Sequence, residues 1–374
     1  MKTNMMGIIF AELYGSEELN ALTYDRNMAA IPFGGRYRLI DFTLSNMVNS
    51  DIDNIGVLVK QHYRSLMDHL ASGQEWDLNR KNGGLHILPP YANESVAHST
   101  VGKLDELRGA LDLLQDSTES YVLLAEASVL CSMDYRPLLD AHIAGGADIT
   151  AVTYAASGTS ADPVHYVFHT ENETVKAFAL DAVPKAGEDV GIGLYVISRE
   201  KLIEIVKEYT SYGAYHFERD FMQHQFNAGK LSIDLYQIDG PVLFNRSVNE
   251  YLKNSLALTD ETVGNAIFQS GNPIYTRVND EVPTYYGSNC QIASCIIADG
   301  CVINGCAEHS VLSRGVQIGS GAKVKNCVIM DGTIVGENAV LENIIIDKRA
   351  VISDGTQLIG VPSAPVIIRK GAVV

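Results

Sequence analysis

Val311-Leu312-Ser313-Arg314-Gly315-Val316-Gln317-Ile318-Gly319 is followed by Val328-Ile329-Met330-Asp331-Gly332-Thr333-Ile334-Val335-Gly336, and then by Ile345-Ile346-Asp347-Lys348-Arg349-Ala350-Val351-Ile352-Ser353, each block starting 17 residues after the last. Asn326 and Asn343 share the same offset. The period is too short for helix-pair repeats or leucine-rich arcs. It fits a coil of three sides of about six residues each, trimmed by one. Such coils stack as a parallel β-helix, with strands about 4.8 Å apart and apolar side chains of successive coils piled inside. A coil cannot bury its own face, so the stack needs caps or a partner over its end. Residues 286–374 are therefore predicted to form a β-helix domain. Five of the six cysteines lie in it: Cys290, Cys295, Cys301, Cys306 and Cys327. No CxxC pair and no histidine at finger spacing accompanies them, so they read as small core residues rather than zinc ligands or disulfides.

Upstream, residues 1–255 alternate short apolar runs with helical patterns. Met6–Ala11, Ile55–Lys60, Tyr121–Leu124 and Asp148–Tyr154 read as strands; Gln61–Ala71, Lys103–Leu114 and Arg136–Ile143 read as helices. Strands alternating with helices imply crossovers, a mostly parallel sheet and a Rossmann-like α/β domain. Residues 256–285 are left as a linker. The net charge of −17 argues against nucleic acid as a partner, because phosphate backbones are bound through Lys and Arg. The start, MKTNMMGIIFAELYG, is broken by Glu12 and does not read as a secretory signal. No stretch reaches the roughly eighteen apolar residues of a membrane span. A cytoplasmic protein is the expectation.

Three segments carry a resemblance. Ile31-Pro32-Phe33-Gly34-Gly35-Arg36-Tyr37-Arg38-Leu39-Ile40-Asp41-Phe42-Thr43-Leu44-Ser45-Asn46 is similar to the stretch PFGGKYRLIDFALSN of the glucose-1-phosphate adenylyltransferases. Trp76-Asp77-Leu78-Asn79-Arg80, with Gly83-Gly84 and Ile87-Leu88-Pro89-Pro90, resembles their WDLDR…GG…ILPP segment. Val190-Gly191-Ile192-Gly193-Leu194-Tyr195 resembles their ASMGIY strand. The likeness runs from about residue 6 to 360. It implies a nucleotidyltransferase-like domain followed by a left-handed parallel β-helix, in an oligomer that the family builds as a tetramer.

Adenylyl transfer needs a glycine-rich turn that admits phosphate, cations that stabilise its charge, and a carboxylate for Mg²⁺. Family members supply these as LAGGRGTRLxPLT, a lysine in RAKPAVPF and an aspartate in LAGDHIY. Here the first motif reads Ala11-Glu12-Leu13-Tyr14-Gly15-Ser16-Glu17-Glu18-Leu19, with Gly15 and Glu18 at the two arginine positions. Two unit charges 4 Å apart repel by roughly 4 kcal/mol at an effective dielectric of 20, so Glu17 and Glu18 oppose a triphosphate. Met28 stands where the lysine is expected. At the metal position the alignment gives Ala127 or Ser128, with Glu126 beside them as a substitute carboxylate. EKP becomes Ala182-Val183-Pro184, and WxDVGT becomes Val242-Leu243-Phe244-Asn245-Arg246-Ser247. These losses predict no bound cofactor, with Mg²⁺ only if residual transfer survives.

Arg26, Arg36 and Arg38 lie near the segment that resembles the family's effector contacts, and are candidate effector or interface residues for a phosphorylated sugar or nucleotide. Ion pairs with the surplus carboxylates are their plainer role. His309 falls on the β-helix, where acyltransferases of that fold place a catalytic histidine; without the loop that binds an acyl carrier arm it reads as structural. The pattern resembles the regulatory subunit that accompanies a catalytic one in Gram-positive glycogen synthesis. Its implied partner is the catalytic glucose-1-phosphate adenylyltransferase subunit. Two rivals stand beside this: a weakly active nucleotidyltransferase using Glu126, and a ligand sensor without turnover.

Overall fold

A computed structural model describes residues 3–12, 19–90, 102–158, 164–172, 174–269 and 271–374. The chain divides into two units that interleave along the sequence. Unit 1 comprises residues 1–14, 42–63 and 70–242; unit 2 comprises residues 15–41, 64–69 and 243–374. Among the described residues no helix is long and apolar enough to cross a membrane.

Unit 1 is built on a nine-stranded sheet. Its strands are β1 (Met5–Phe10), β2 (Asn54–Leu58), β3 (Gly84–Leu88), β4 (Tyr121–Glu126), β5 (Ile149–Ala155), β6 (Val164–Glu171), β7 (Thr174–Ala182), β8 (Asp189–Ser198) and β9 (Ile233–Gln237). The order is β7-β6-β8-β4-β1-β2-β3, with β5 pairing to β8 and β9. β1 (MMGIIF) is apolar throughout and buried along its whole length, as a central parallel strand must be. It pairs in parallel with β2 and β4, and β2 pairs in parallel with β3.

A mostly parallel sheet is therefore found only in that half. β8 runs antiparallel to β4, β5 and β6, and β6 and β7 form an antiparallel hairpin. The cause is connection length. No helix is present between β5 and β8 among the described residues, so successive strands reverse rather than cross over. The helical pattern from Lys103 to Leu114 is also interrupted: helices Lys103–Leu107 and Leu111–Asp116 flank a 3₁₀ turn, Arg108–Ala110. Leu104, Leu107 and Leu114 nevertheless reach the sheet's core with Met6, Ile8, Phe10 and Leu124.

Unit 2 contains the left-handed β-helix, whose three sides are five-stranded parallel sheets. The 17-residue period sets the register directly: Val311 pairs with Val328, and Val328 with Ile345. Leu312, Ile329 and Ile346 stack inside with Cys301, Cys327, Ile318 and Val335. The six cysteines are free thiols. Burial pushes the Cys131 and Cys327 thiols up to about 12, in keeping with a packing role. At one corner the backbone turns left-handed at His309, Asn326 and Asn343 (φ 45°, 51° and 54°). Their side chains form a ladder up the stack: His309 Nδ1 to Asn326 Oδ1 (2.8 Å), Asn326 Nδ2 to Asn343 Oδ1 (3.2 Å), and Asn343 Nδ2 to the Gly360 carbonyl (3.0 Å). Asn is the side chain that best tolerates this conformation, and His309 takes the same place in its own coil.

The stretch 256–285, read above as a linker, carries the helix Glu261–Phe268, and Asp260 caps it by accepting from Thr262 and Val263. Its Phe268 ring stacks on Tyr37 at 5.5 Å. Tyr37 belongs to a short hairpin, Pro32–Phe33 with Tyr37–Arg38, turned by Gly34 and Gly35 at φ 59° and 82°. Only glycine takes two such positions without strain. A Cβ on Gly35 would meet Ile296 and the Leu312 carbonyl at 3.4 Å, so this turn packs directly on the β-helix.

Candidate functional site

In open α/β sheets ligands bind outside the carboxyl ends of the central strands. In unit 1 those ends are Phe10 of β1 and Glu126 of β4, which are register partners. Helix Lys103–Leu107 begins beside them. Its N-cap, Gly102, is pressed against the Tyr215 carbonyl, leaving no room for a Cβ, and Leu104 N–H donates to that carbonyl at 2.9 Å. Tyr215 leads into a π-helix, Phe217–Gln223, and the wider turn carries Glu218 inward.

These elements bring together a buried charge cluster. Lys103 Nζ donates to Glu126 Oε1 at 2.5 Å, to Glu218 Oε1, and to the Tyr166 hydroxyl at 3.2 Å. The side chains of Lys103, Glu126 and Glu218 are each less than a tenth exposed. The rings of Phe10, Tyr166 and Tyr195 lie 5.5, 5.3 and 5.9 Å from the ammonium, which adds cation–π attraction. Burial alone would push the lysine's pKa down. Glu126 and Glu218 reverse that, and the group stays charged above the usual lysine range. Burial, then the carboxylates, hold the phenols of Tyr166 and Tyr195 neutral. Ser128 donates to Glu126 Oε2 at 3.3 Å.

The predicted positions fall as follows. Ala127 is fully buried and its N–H donates to the Phe10 carbonyl at 3.0 Å, so it offers no ligand atom. Ser128 is buried with its hydroxyl turned to Glu126. The Glu126 carboxylate is engaged by Lys103 and is not an open metal ligand. Met28 is buried in a 3₁₀ turn of unit 2, capped by Asn27, whose Oδ1 accepts from Ala29 N–H at 2.8 Å. Gly15, Glu17 and Glu18 lie outside the described residues. Among the described residues no group of three or more His, Cys, Asp or Glu stands ready for a metal. The donor set at the metal position does not fit a divalent cation as it stands, because an ammonium occupies its carboxylate.

The three arginines have different surroundings in unit 2. Arg26 is buried and holds both Asp347 oxygens at 2.7 Å. Arg36 makes an exposed pair with Asp299 at 3.6 Å. Arg38 donates to the Ser65 carbonyl at 2.6 Å and hydroxyl at 3.0 Å, and burial lowers its pKa. Asp347, on a coil of the β-helix, is buried in its pair with Arg26. Lys348 pairs with Asp331 at 2.6 Å, and burial lowers its pKa too. Arg26, Arg38, Lys348 and Asp331 thus share one electrostatic neighbourhood. Sequence reading missed Lys103, Glu218 and Arg314. The Nε and Nη2 of Arg314 are buried with no hydrogen-bond partner among the described residues.

Comparison with known proteins agrees with this architecture. The nucleotidyl transferase model matches residues 7–239, and the model for the GlmU-like C-terminal hexapeptide matches residues 281–364. The glycogen biosynthesis protein GlgD of Geobacillus stearothermophilus is 36% identical over 376 residues, covering 100% of this chain and 98% of that one. GlgD of Bacillus subtilis (strain 168) is 33% identical over 370 residues, covering 99% and 96%. A glucose-1-phosphate adenylyltransferase of Bacillus mycoides (strain KBAB4) is 31% identical over 364 residues, covering 95% and 94%. The nucleotidyltransferase sheet, the β-helix of 17-residue coils and these full-length likenesses together place the chain in the nucleotidyl transferase family, among the GlgD glycogen biosynthesis proteins and glucose-1-phosphate adenylyltransferases that it resembles over its whole length.

Proposed function

We propose that this chain is a non-catalytic, regulatory subunit of glucose-1-phosphate adenylyltransferase in glycogen biosynthesis, acting through association with a catalytic homologue. The observation that carries the reading is the Lys103–Glu126 pair. The Glu126 carboxylate beside the metal position is paired from within the chain, at the end of the sheet where a nucleotide would react. The relatives named for glycogen biosynthesis support the pathway. Association is supported by the first coil of the β-helix. Its strands Tyr285–Tyr286, Gln291–Ala293 and Ile296–Ile297 are the edges of their three sheets, and Tyr285, Tyr286 and Ile292 are exposed. Sheet edges with exposed apolar side chains of this kind suit a partner. Such a partner alters turnover by biasing which conformation the catalytic subunit populates.

The test is ADP-glucose synthesis by the pure chain and by its mixture with a catalytic homologue, with the complex followed on a sizing column. The reading predicts no synthesis alone, a shared elution peak, and a changed rate in the mixture. Steady synthesis by the chain alone, or a mixture with neither a shared peak nor a changed rate, contradicts it. A second reading, sensing of a phosphorylated sugar or nucleotide in unit 2, is favoured by Arg314, whose Nε and Nη2 are buried without a hydrogen-bond partner among the described residues. Repeating the mixed assay with phosphorylated and unphosphorylated sugars separates regulation by ligand from regulation by contact alone.

A further inference from the structure

We propose that a cavity in unit 1, between Tyr121, His142 and the Lys201–Asp148 ion pair, is a binding site for one uncharged hexose ring, taken as the free sugar or as the end of a glucan chain.

The cavity has a volume of about 230 Å³. Pockets for drug-sized ligands run from about 300 to 1,000 Å³, so this one suits a single ring. It lies at the opposite end of the sheet from the Lys103 cluster. Tyr121 begins β4 and Glu126 ends it, which separates the two by about 17 Å at the usual rise per residue. Ser198, the register partner of Tyr121, caps the helix Arg199–Ser211, and its hydroxyl accepts from Lys201 N–H at 3.4 Å. His142 stands in the last turn of the helix Arg136–Gly145. Beyond it, a Cβ on Gly146 would meet nothing within 4 Å, so the mouth is open on that side.

Two observations carry the ligand and its class. His142 is only 4% exposed, and its Nδ1 is engaged with Thr150 Oγ1 at 2.8 Å. Thr150 does not line the cavity, so Nε2 is the polar atom that the ring brings to it. Among the described residues Nε2 has no hydrogen-bond partner. It is a donor in one tautomer and an acceptor in the other, and a hydroxyl group satisfies either. The second observation is charge. Lys201 Nζ pairs with Asp148 Oδ1, while Asp148 Oδ2 accepts from Ser232 N–H at 2.8 Å. Burial outweighs the nearby Asp234 carboxylate and lowers the pKa of His142, so the imidazole is neutral at neutral pH. The lining therefore carries no net charge and does not select an anion. It sets donors and acceptors beside the Tyr121 ring and the Ile143 side chain, a mixture that matches hydroxyl groups around an apolar ring face.

The inference concerns the isolated chain and does not rest on the regulatory reading. The sugars used to test it carry no phosphate, so sensing of phosphorylated ligands in unit 2 does not contribute. Glucose and, separately, maltoheptaose are titrated into the full-length chain and followed by ligand-observed saturation-transfer NMR. Saturable binding of glucose is expected. Tyr121→Phe, which removes only a hydroxyl, is expected to weaken it about tenfold, the effect of one lost hydrogen bond. His142→Phe, which keeps an aromatic ring against Tyr121, is expected to weaken it at least as much. Melting curves establish that each variant folds. If His142→Phe does not, Ile143→Trp replaces it: that residue is 52% exposed, and the larger side chain obstructs the mouth from a surface position. Binding of glucose alone assigns the site to a free hexose, and binding of maltoheptaose as well assigns it to a glucan end; both support the inference. Absence of saturable binding by either sugar overturns it, because water alone would then serve His142. So does binding of equal strength in wild type and all folded variants.

Discussion

Arg26 and Asp347 stand 321 positions apart in sequence and meet as a buried pair in which Arg26 Nη2 donates to both carboxylate oxygens at 2.7 Å. A buried charge that loses its partner keeps its desolvation cost, so breaking such a pair is expensive, whereas replacing both members by apolar groups need not be. Arg26→Ala is expected to lower the stability of the chain by about 3–5 kcal/mol in urea denaturation, and Arg26→Met/Asp347→Leu to lower it by clearly less. A double variant as unstable as the single one would mean that the pair does more than hold charge. From the sequence, Arg26 was open to an effector or interface role because its carboxylate partner is so distant along the chain. Lys103 went unread for a different reason. KLDELRGALDLL reads as a helix through the spacing of its leucines. One local signal was present: a lysine in the first turn of a helix opposes the helix dipole, and so calls for carboxylates nearby. Which carboxylates these would be, Glu126 and Glu218, depends on a strand end and a π-helix that no local pattern discloses.

The β-helix was legible because its information is periodic. Val311, Val328 and Ile345 were matched by spacing alone, and they are register partners. The shared offset of Asn326 and Asn343 also had structural meaning, as rungs of one ladder. His309 joins that ladder through Asn326, which gives its imidazole a structural partner. His309→Asn is therefore expected to keep stability within about 0.5 kcal/mol of wild type, since Asn suits the left-handed corner and restores the ladder's own residue. Asn343→Ala removes a buried hydrogen bond and places a Cβ without compensation at φ 54°; a loss of about 1–3 kcal/mol is expected by thermal or urea unfolding. A strongly destabilised His309→Asn, or a silent Asn343→Ala, would contradict the ladder as a stabilising element. The mixed half of the unit 1 sheet was harder to see. The alternation was followed only to Tyr154, while the hairpin of β6 and β7 turns beyond it near Asn172, at φ 50°.

At the scale of the molecule, the sequence divides into an α/β stretch followed by a β-helix, whereas the units exchange segments: residues 15–41 and 64–69 belong with the β-helix. That assignment was out of reach of a linear reading because it rests on contacts such as that of Gly35 with Leu312. The fold class was readable because it follows from repeated spacings and apolar runs. Departures from the family's motifs were readable at Met28, Ala127 and Ser128, but the side chains that stand around those positions were not. In unit 1 the nearby Glu126 carboxylate is bound by the chain's own Lys103. The most direct measurement is a calorimetric titration of the isolated full-length chain with ATP, with and without Mg²⁺, beside a Glu126→Gln variant. The account predicts that Mg²⁺ adds no saturable ATP binding to wild type and that Glu126→Gln changes nothing in the titration. Mg²⁺-dependent ATP binding that Glu126→Gln abolishes would contradict it, for Glu126 would then be serving a metal and not a lysine.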